Sequence, residues 1–123
     1  VSKTLDDKKL IYLQIKEMIE DQIMNNQLQA HDQIPSTNQL VQFYKINHIT
    51  VSKGINLLVD EEIIYKKRGV GMFVMEGAKE KLIVKRRDEF AEEFVLPMLK
   101  EAKKLMLTDN DILKLMEKLK GSV

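Results

Sequence analysis

This sequence predicts a mainly α-helical fold carrying one small β-hairpin. Three observations predict it. Isoleucines recur every four residues from Ile11 to Ile23. Two polar-capped apolar stripes begin at Ser36 and Asn47, and two β-like runs flank Arg68-Gly69-Val70-Gly71.

The first helix is expected over Asp7 to about Asn26, with Ile11, Ile15, Ile19 and Ile23 on one face and Tyr12 and Met18 widening it. It stops at Asn25-Asn26, since Asn tolerates the left-handed conformation of a helix cap. Gln27 to Pro35 reads as a polar connector. Ser36 opens a second helix, with Gln39 completing a capping box and Leu40, Val41, Phe43 and Tyr44 on its apolar side. The chain must turn near Lys45-Ile46. Asn47 then caps a third helix whose buried stripe is Val51, Ile55, Leu58 and Val59. Ile63 to Lys67 and Met72 to Val74 form the hairpin. A long charged helix follows from about Ala78 to Leu105, with a kink or break expected near Leu96 because of Pro97. Thr108 to Asp111 starts a last helix with Ile112, Leu115, Met116 and Leu119 on its apolar face.

A chain of 123 residues has room for one small domain and a helical appendage, and an apolar content of 44% suffices for a core. We divide it into a domain over residues 1–75 and a tail over 76–123. With 20 basic and 19 acidic residues, any attraction for phosphate must come from local clustering and not from net charge. There is no cysteine, hence no disulfide or thiolate metal site. The start lacks a signal-peptide core and no apolar run suits a membrane span, so a cytoplasmic protein without membrane contact is expected.

The third helix carries the functional information. Its first turn offers short or basic side chains, Asn47, His48, Ile49, Thr50, Ser52 and Lys53, while its later positions are apolar. A recognition helix has this polarity, because its N-terminal residues meet base edges and its body is buried. Free amides at a helix start also favour phosphate oxygens. An ordinary capped helix would look similar in isolation. The basic hairpin Lys66-Lys67-Arg68-Gly69 follows at the distance of a wing, so the order describes a winged helix-turn-helix that binds double-stranded DNA. His31 and His48 lack carboxylates at metal-ligand spacing, and no catalytic motif is present. No metal, cofactor or enzymatic activity is expected.

The chain resembles the N-terminal DNA-binding domain of GntR-family transcription regulators. The resemblance rests on IYLQI at 11 to 15, Ile34-Pro35-Ser36, ITV at 49 to 51, LLVDEEII, and GVGMFV at 69 to 74. It covers about residues 8 to 75, a little over half of the chain. The short two-helix tail is similar to that of the YtrA-like subfamily, whose members lack a large effector-binding domain and dimerise through the tail. The resemblance implies that Ser36 and Asn38 meet the DNA backbone or base edges and that Asn47, His48, Ile49, Thr50, Ser52 and Lys53 lie in the major groove. Gly69 would approach the minor groove with Arg68 beside it, and Lys67 and Arg68 are expected to act mainly on phosphates or the minor groove. The family commonly has Arg where this chain has Asn38; Arg suits guanine and Asn suits adenine. Family glycines are replaced by Asn26, His31 and Glu62. Asn and His accept positive φ, whereas an altered cap is expected at Glu62.

Phe90, Phe94, Met98, Leu105, Ile112, Leu115, Met116 and Leu119 are more apolar surface than a small completed domain needs, so the tail is expected to form a homodimer matched to a palindromic operator. The reading is a dimeric repressor of a transporter-type operon. The alternatives are a winged helix used for protein contacts and a sensor with an unidentified small-molecule effector.

Overall fold

The structure is a computed structural model that describes residues 10–123. The expected helix start at Asp7 lies outside the described residues. The elements are α1 (Ile11–Met24), α2 (Thr37–Tyr44), α3 (His48–Asp60), β1 (Ile64–Lys67), β2 (Gly71–Val74), α4 (Ala78–Phe90), a π-helical turn (Ala91–Val95), α5 (Leu96–Lys104) and α6 (Asp109–Leu119). The chain divides into two compact units, Val1–Val84 and Lys85–Val123, and the division falls inside α4.

The first unit is built around the isoleucine face of α1. Ile15, Ile19 and Ile23 are buried together with Leu40 of α2, Val51, Ile55 and Leu58 of α3, Ile64 and Val74 of the hairpin, and Ala78 and Leu82 of α4. Full burial of one such aliphatic side chain stabilises by about 1.5–3 kcal/mol, so this cluster is the dominant favourable contribution to the unit. Phe43 departs from expectation. It is 54% exposed, because an eight-residue helix with Leu40, Val41 and Tyr44 turned inward has no room for a fourth apolar side chain on that face. Phe43 instead packs edge-on against the Tyr44 ring at 4.9 Å.

Gly54 is the point of closest approach between α3 and α1. A Cβ built there would lie 2.5 Å from the Tyr12 carbonyl oxygen, so only a residue without a side chain fits this spacing. The far end of α3 is tied to α1 by charge. The buried Lys16 ammonium lies 3.0 Å from Glu20 Oε2 and 3.2 Å from Glu61 Oε1. Glu61, at the C-terminal end of α3, is thus engaged by a buried cation while its side chain remains partly exposed.

The hairpin pairs Ile64 with Val74 through Lys67 with Gly71. Residues 31–34, expected to be a plain connector, add to its edge. The Ile34 N–H donates to the Met72 carbonyl and the Val74 N–H to the Asp32 carbonyl, both at 2.9 Å, and Gln33 bridges to Phe73.

α3 ends in a Schellman motif. The Ile63 N–H donates to the Leu58 carbonyl at 2.9 Å and the Glu62 N–H to the Val59 carbonyl at 3.0 Å. Here too the structure differs from expectation: Glu62 takes φ 59° and makes the ordinary left-handed cap. Burial of Ile63 behind it and a 3.6 Å ion pair to Lys81 hold it there. Asn26 and His31 also have positive φ, as their residue types suggest, and so does Lys45, which closes the turn between α2 and α3.

In the second unit the interruption before Pro97 takes the form of a π-helical turn. Proline lacks the amide that would continue the α ladder, and its ring clashes with the carbonyl four residues back. Thr108 and Asp111 form a capping box at α6, and the Thr108 N–H, then its hydroxyl, hold the Asp111 carboxyl below the ordinary range. Ala102 is the one buried side chain among residues 85–123.

The left-handed conformation costs an L-residue about 1–2 kcal/mol, and glycine gives back about 0.5–1 kcal/mol of that through unfolded-chain entropy. Glu62→Gly is therefore expected to stabilise by up to about 1 kcal/mol in thermal unfolding, while Glu62→Val destabilises by about 1 kcal/mol or more. A loss of stability with Glu62→Gly would mean that the Lys81 pair, and not the backbone, decides this position.

Candidate nucleic-acid interface

The helix-turn-helix is set by two local caps. At α2 the Gln39 N–H donates to Ser36 Oγ at 3.1 Å and the Ser36 N–H donates to Gln39 Oε1 at 2.8 Å. The Ser36 hydroxyl acts as acceptor in this pair, which leaves its own proton available to a phosphate oxygen. At α3 the Ile49 N–H donates to the Asn47 side-chain oxygen at 2.7 Å, so what Asn47 presents outward is its amide NH2. Behind the turn, the Tyr44 hydroxyl donates to Met18 Sδ at 2.6 Å, and burial pushes the Tyr44 phenol up from its usual pKa.

Among the expected contact residues, Asn38, Asn47, His48, Ile49 and Lys53 are exposed, Ser52 and Thr50 half-buried. His48 Nδ1 and Ser52 Oγ lie 3.4 Å apart, one turn from each other. The Lys53 ammonium sits 4.1 Å from the centroid of the Tyr12 ring, drawn sideways towards α1. Asn56, one turn beyond Ser52, is also exposed and was missed. Its position on the outward side of the helix is legible in the periodicity of the buried stripe.

The wing tip is a tight turn. The Val70 N–H donates to the Lys67 carbonyl at 2.9 Å and Gly69 has φ 76°, a conformation glycine adopts without cost. Lys66, Lys67 and Arg68 are exposed at its base and tip. The Lys67 ammonium lies 5.2 Å from the Phe73 ring centroid, and the Tyr65 and Phe73 rings stack at 5.8 Å, stiffening the strands beneath. A cleft of about 270 Å³ brings Ser36 and Thr37 at the start of α2 together with Lys66, Lys67 and Gly69 of the wing. Gln33 was also missed, for nothing in the local sequence marks it. Its amide donates to the Val70 carbonyl at 3.1 Å and packs so closely on Gly71 that a side chain there would collide with it.

The charges are segregated. Residues 33–59 and 63–75 contain Lys45, Lys53, Lys66, Lys67 and Arg68 and no acid, while Asp60, Glu61 and Glu62 gather at the far end of α3. A nearly neutral chain thus presents a cationic, donor-rich surface at the first turn of α3 and at the wing. Among the described residues no group of three or more His, Cys, Asp or Glu side chains could hold a metal ion, and no helix is long and apolar enough to cross a membrane.

Comparison with known proteins places this geometry. The model of the bacterial regulatory proteins of the gntR family matches residues 11–74. The transcriptional repressor NagR of Bacillus subtilis is 33% identical over 73 residues, 59% of this chain and 30% of that protein. The chain spans about a third of the length of the curated relatives it first matches. A GntR-family regulator from Bacteroides thetaiotaomicron superposes with TM-score 0.73 at 32% identity over 91% of this chain and 97% of that one. The DNA-binding domain of AraR, solved in complex with operator ORX1, superposes with TM-score 0.52 at 31% identity over 60% of this chain and 90% of that one.

Removing the Gln33 amide frees the Val70 carbonyl and loosens the wing tip. One such hydrogen bond is worth about 0.5–1.5 kcal/mol. Gln33→Ala should therefore weaken duplex binding about two- to tenfold by fluorescence anisotropy, with the melting temperature lower by about 2–10 °C and the fold retained. An unchanged affinity would show that the tip needs no such latch.

Proposed function

Since this chain belongs to the GntR family of bacterial regulatory proteins, we propose that it is a dimeric, sequence-specific repressor of the YtrA-like branch, acting on a transporter-type operon. The observation that carries the DNA-binding reading is the acid-free surface shared by the α2 start, the first turn of α3 and the basic wing. Ser36, with its hydroxyl proton available, positions the domain on phosphate. Asn38, Asn47, His48, Ile49, Thr50, Ser52 and Lys53 supply the major-groove contacts, and Lys67, Arg68 and Gly69 reach the adjacent backbone or minor groove. Asn38 carries the amide pair that matches adenine and not guanine.

Dimerisation rests on the second unit's lack of a core. Eleven large apolar side chains between Phe90 and Leu119 are at least 40% exposed, with Ala102 alone buried. Phe90 and Phe94 pair at 5.7 Å, and Met98, Leu105, Ile112, Leu115, Met116 and Leu119 line an apolar groove of about 570 Å³. Exposed apolar surface of this extent on so small a unit is stabilised by burial against a second copy. Residues 1–75 then serve as the DNA-binding domain and 76–123 as the dimerisation tail, whose opening turn, through Ala78 and Leu82, belongs to the core of the first unit.

Two experiments test this. A binding-site selection with the whole chain should enrich a palindrome. Arg68→Ala should then weaken binding to all sequences alike and lower the log–log salt slope by about 0.9 for the phosphate it neutralises. No enriched sequence would favour the reading as a protein-contact module. Sedimentation at micromolar concentration should give a dimer for the wild type and a folded monomer for Phe94→Asp; a monomeric wild type would remove the dimer.

A further inference from the structure

The outward direction of α3 can be read from its buried side. At about 100° per residue, the mean direction of Val51, Gly54, Ile55 and Leu58 lies roughly 170° from that of Ile49. Ile49 thus occupies the centre of the exposed face of the first turn. Of the polar residues near it, Ser52 lies about 60° to one side and His48 and Thr50 about 100° to either side, Asn47 is the N-cap, Asn56 follows on the same face two turns on, and Lys53 is held over the Tyr12 ring. Ile49 is 76% exposed, the most of any large apolar side chain in the helix-turn-helix. A single exposed aliphatic residue is ordinary on a protein surface. Placed at the point of a recognition helix that would penetrate a groove deepest, it is a chemical statement about the surface it meets. It has no hydrogen-bonding group to offer a base edge or a phosphate, and its branched C4 side chain reaches further than those of Thr50 and Ser52.

We propose that Ile49 is a specificity-determining residue that reads the C5 methyl group of one thymine in each half-site, an inference that rests on the DNA-binding reading above. In the major groove thymine is the base that presents an apolar group, and contact with that methyl group distinguishes it from cytosine at the same depth. A polar edge under Ile49 would be desolvated without a partner, so the residue acts both by favouring thymine and by penalising the alternatives.

The test uses the whole chain and the duplex it selects, with each thymine replaced in turn by deoxyuridine, which removes the methyl group and nothing else. For the wild type, one replacement per half-site should weaken binding about fourfold, the equivalent of ~0.8 kcal/mol for one buried carbon. For Ile49→Ala the same replacement should have no effect, while other positions behave as in the wild type. The variant alters an exposed side chain and should fold normally, which its melting temperature checks. If uracil weakens Ile49→Ala as much as the wild type, or no thymine matters to the wild type on a sequence it binds specifically, the Ile49 assignment is overturned and the DNA-binding reading stands. If the wild type selects no sequence at all, both fall together.

Discussion

The structure of the first unit depends on how closely α3 lies against α1. Gly54 allows the backbone of α3 to reach the Tyr12 carbonyl, and the same Tyr12 holds the Lys53 ammonium over its ring. At the C-terminal end of the helix the buried Lys16 pairs with Glu61. Held at its middle and at this end, with Val51, Ile55 and Leu58 buried on one side, the helix cannot roll about its axis. The rotation of α3 is therefore determined by its contacts with α1, and with it the set of side chains that faces outward. The buried pair is not an efficient source of stability, since desolvating two charges offsets most of their attraction. Its value is geometric: losing Lys16 would leave the buried Glu20 carboxylate without this cation and release the end of the helix, while losing Glu61 would release the end and leave Lys16 paired with Glu20.

The same logic explains how a chain with nearly balanced charge can serve an anionic ligand. Acids are absent from α2, from α3 before Asp60 and from the wing; the three at the end of α3 sit away from its first turn, with Glu61 and Glu62 engaged by Lys16 and Lys81. The positive side chains are few, so the surface relies on donors with defined directions: the Asn47 amide, the Ser36 hydroxyl and the free amides at the start of α3. Such a surface derives less of its affinity from counterion release than a lysine-rich one, and a larger share from geometric fit. That places weight on the rigidity of the wing, which explains why residues 31–34 pair along β2 and why Gln33 holds the tip.

Much of this was legible in the sequence, because capping and periodicity are local. Ser36, Asn47 and Thr108 each cap the helix they were expected to cap, and Ile15, Ile19, Val51, Ile55 and Leu58 are all buried. What escaped detection depends on residues far apart in the chain. Lys16 reads as a surface residue on an amphipathic helix until Glu61, forty-five positions later, arrives beside it. Residues 31–34 have no strand-like pattern and become strand-like only because β2 has an open edge. Lys45 and Glu62 adopt left-handed backbone against their intrinsic preference, because the turn and cap around them are over-determined by Ile46 and Ile63 packing inward. Phe43 is apolar by type and outward by position, since Leu40, Val41 and Tyr44 already fill the inner face of α2. At the interface, the side-chain types were legible and their directions were not: Lys53 and Ile49 look equally available in the sequence, yet one is turned aside onto Tyr12 and the other stands at the centre of the outward face of the first turn.

The outward face of α3, the start of α2 and the wing, positioned by α1, are expected to form one DNA-contacting surface. Amide hydrogen exchange of the whole chain, with and without a duplex carrying its selected sequence, tests this most directly. Added protection should concentrate in residues 36–38, 47–53 and 66–71, with α1 unchanged because it lies behind α3. Protection confined to residues 85–123, or absent from the start of α3 in a chain that binds the duplex specifically, would contradict the account.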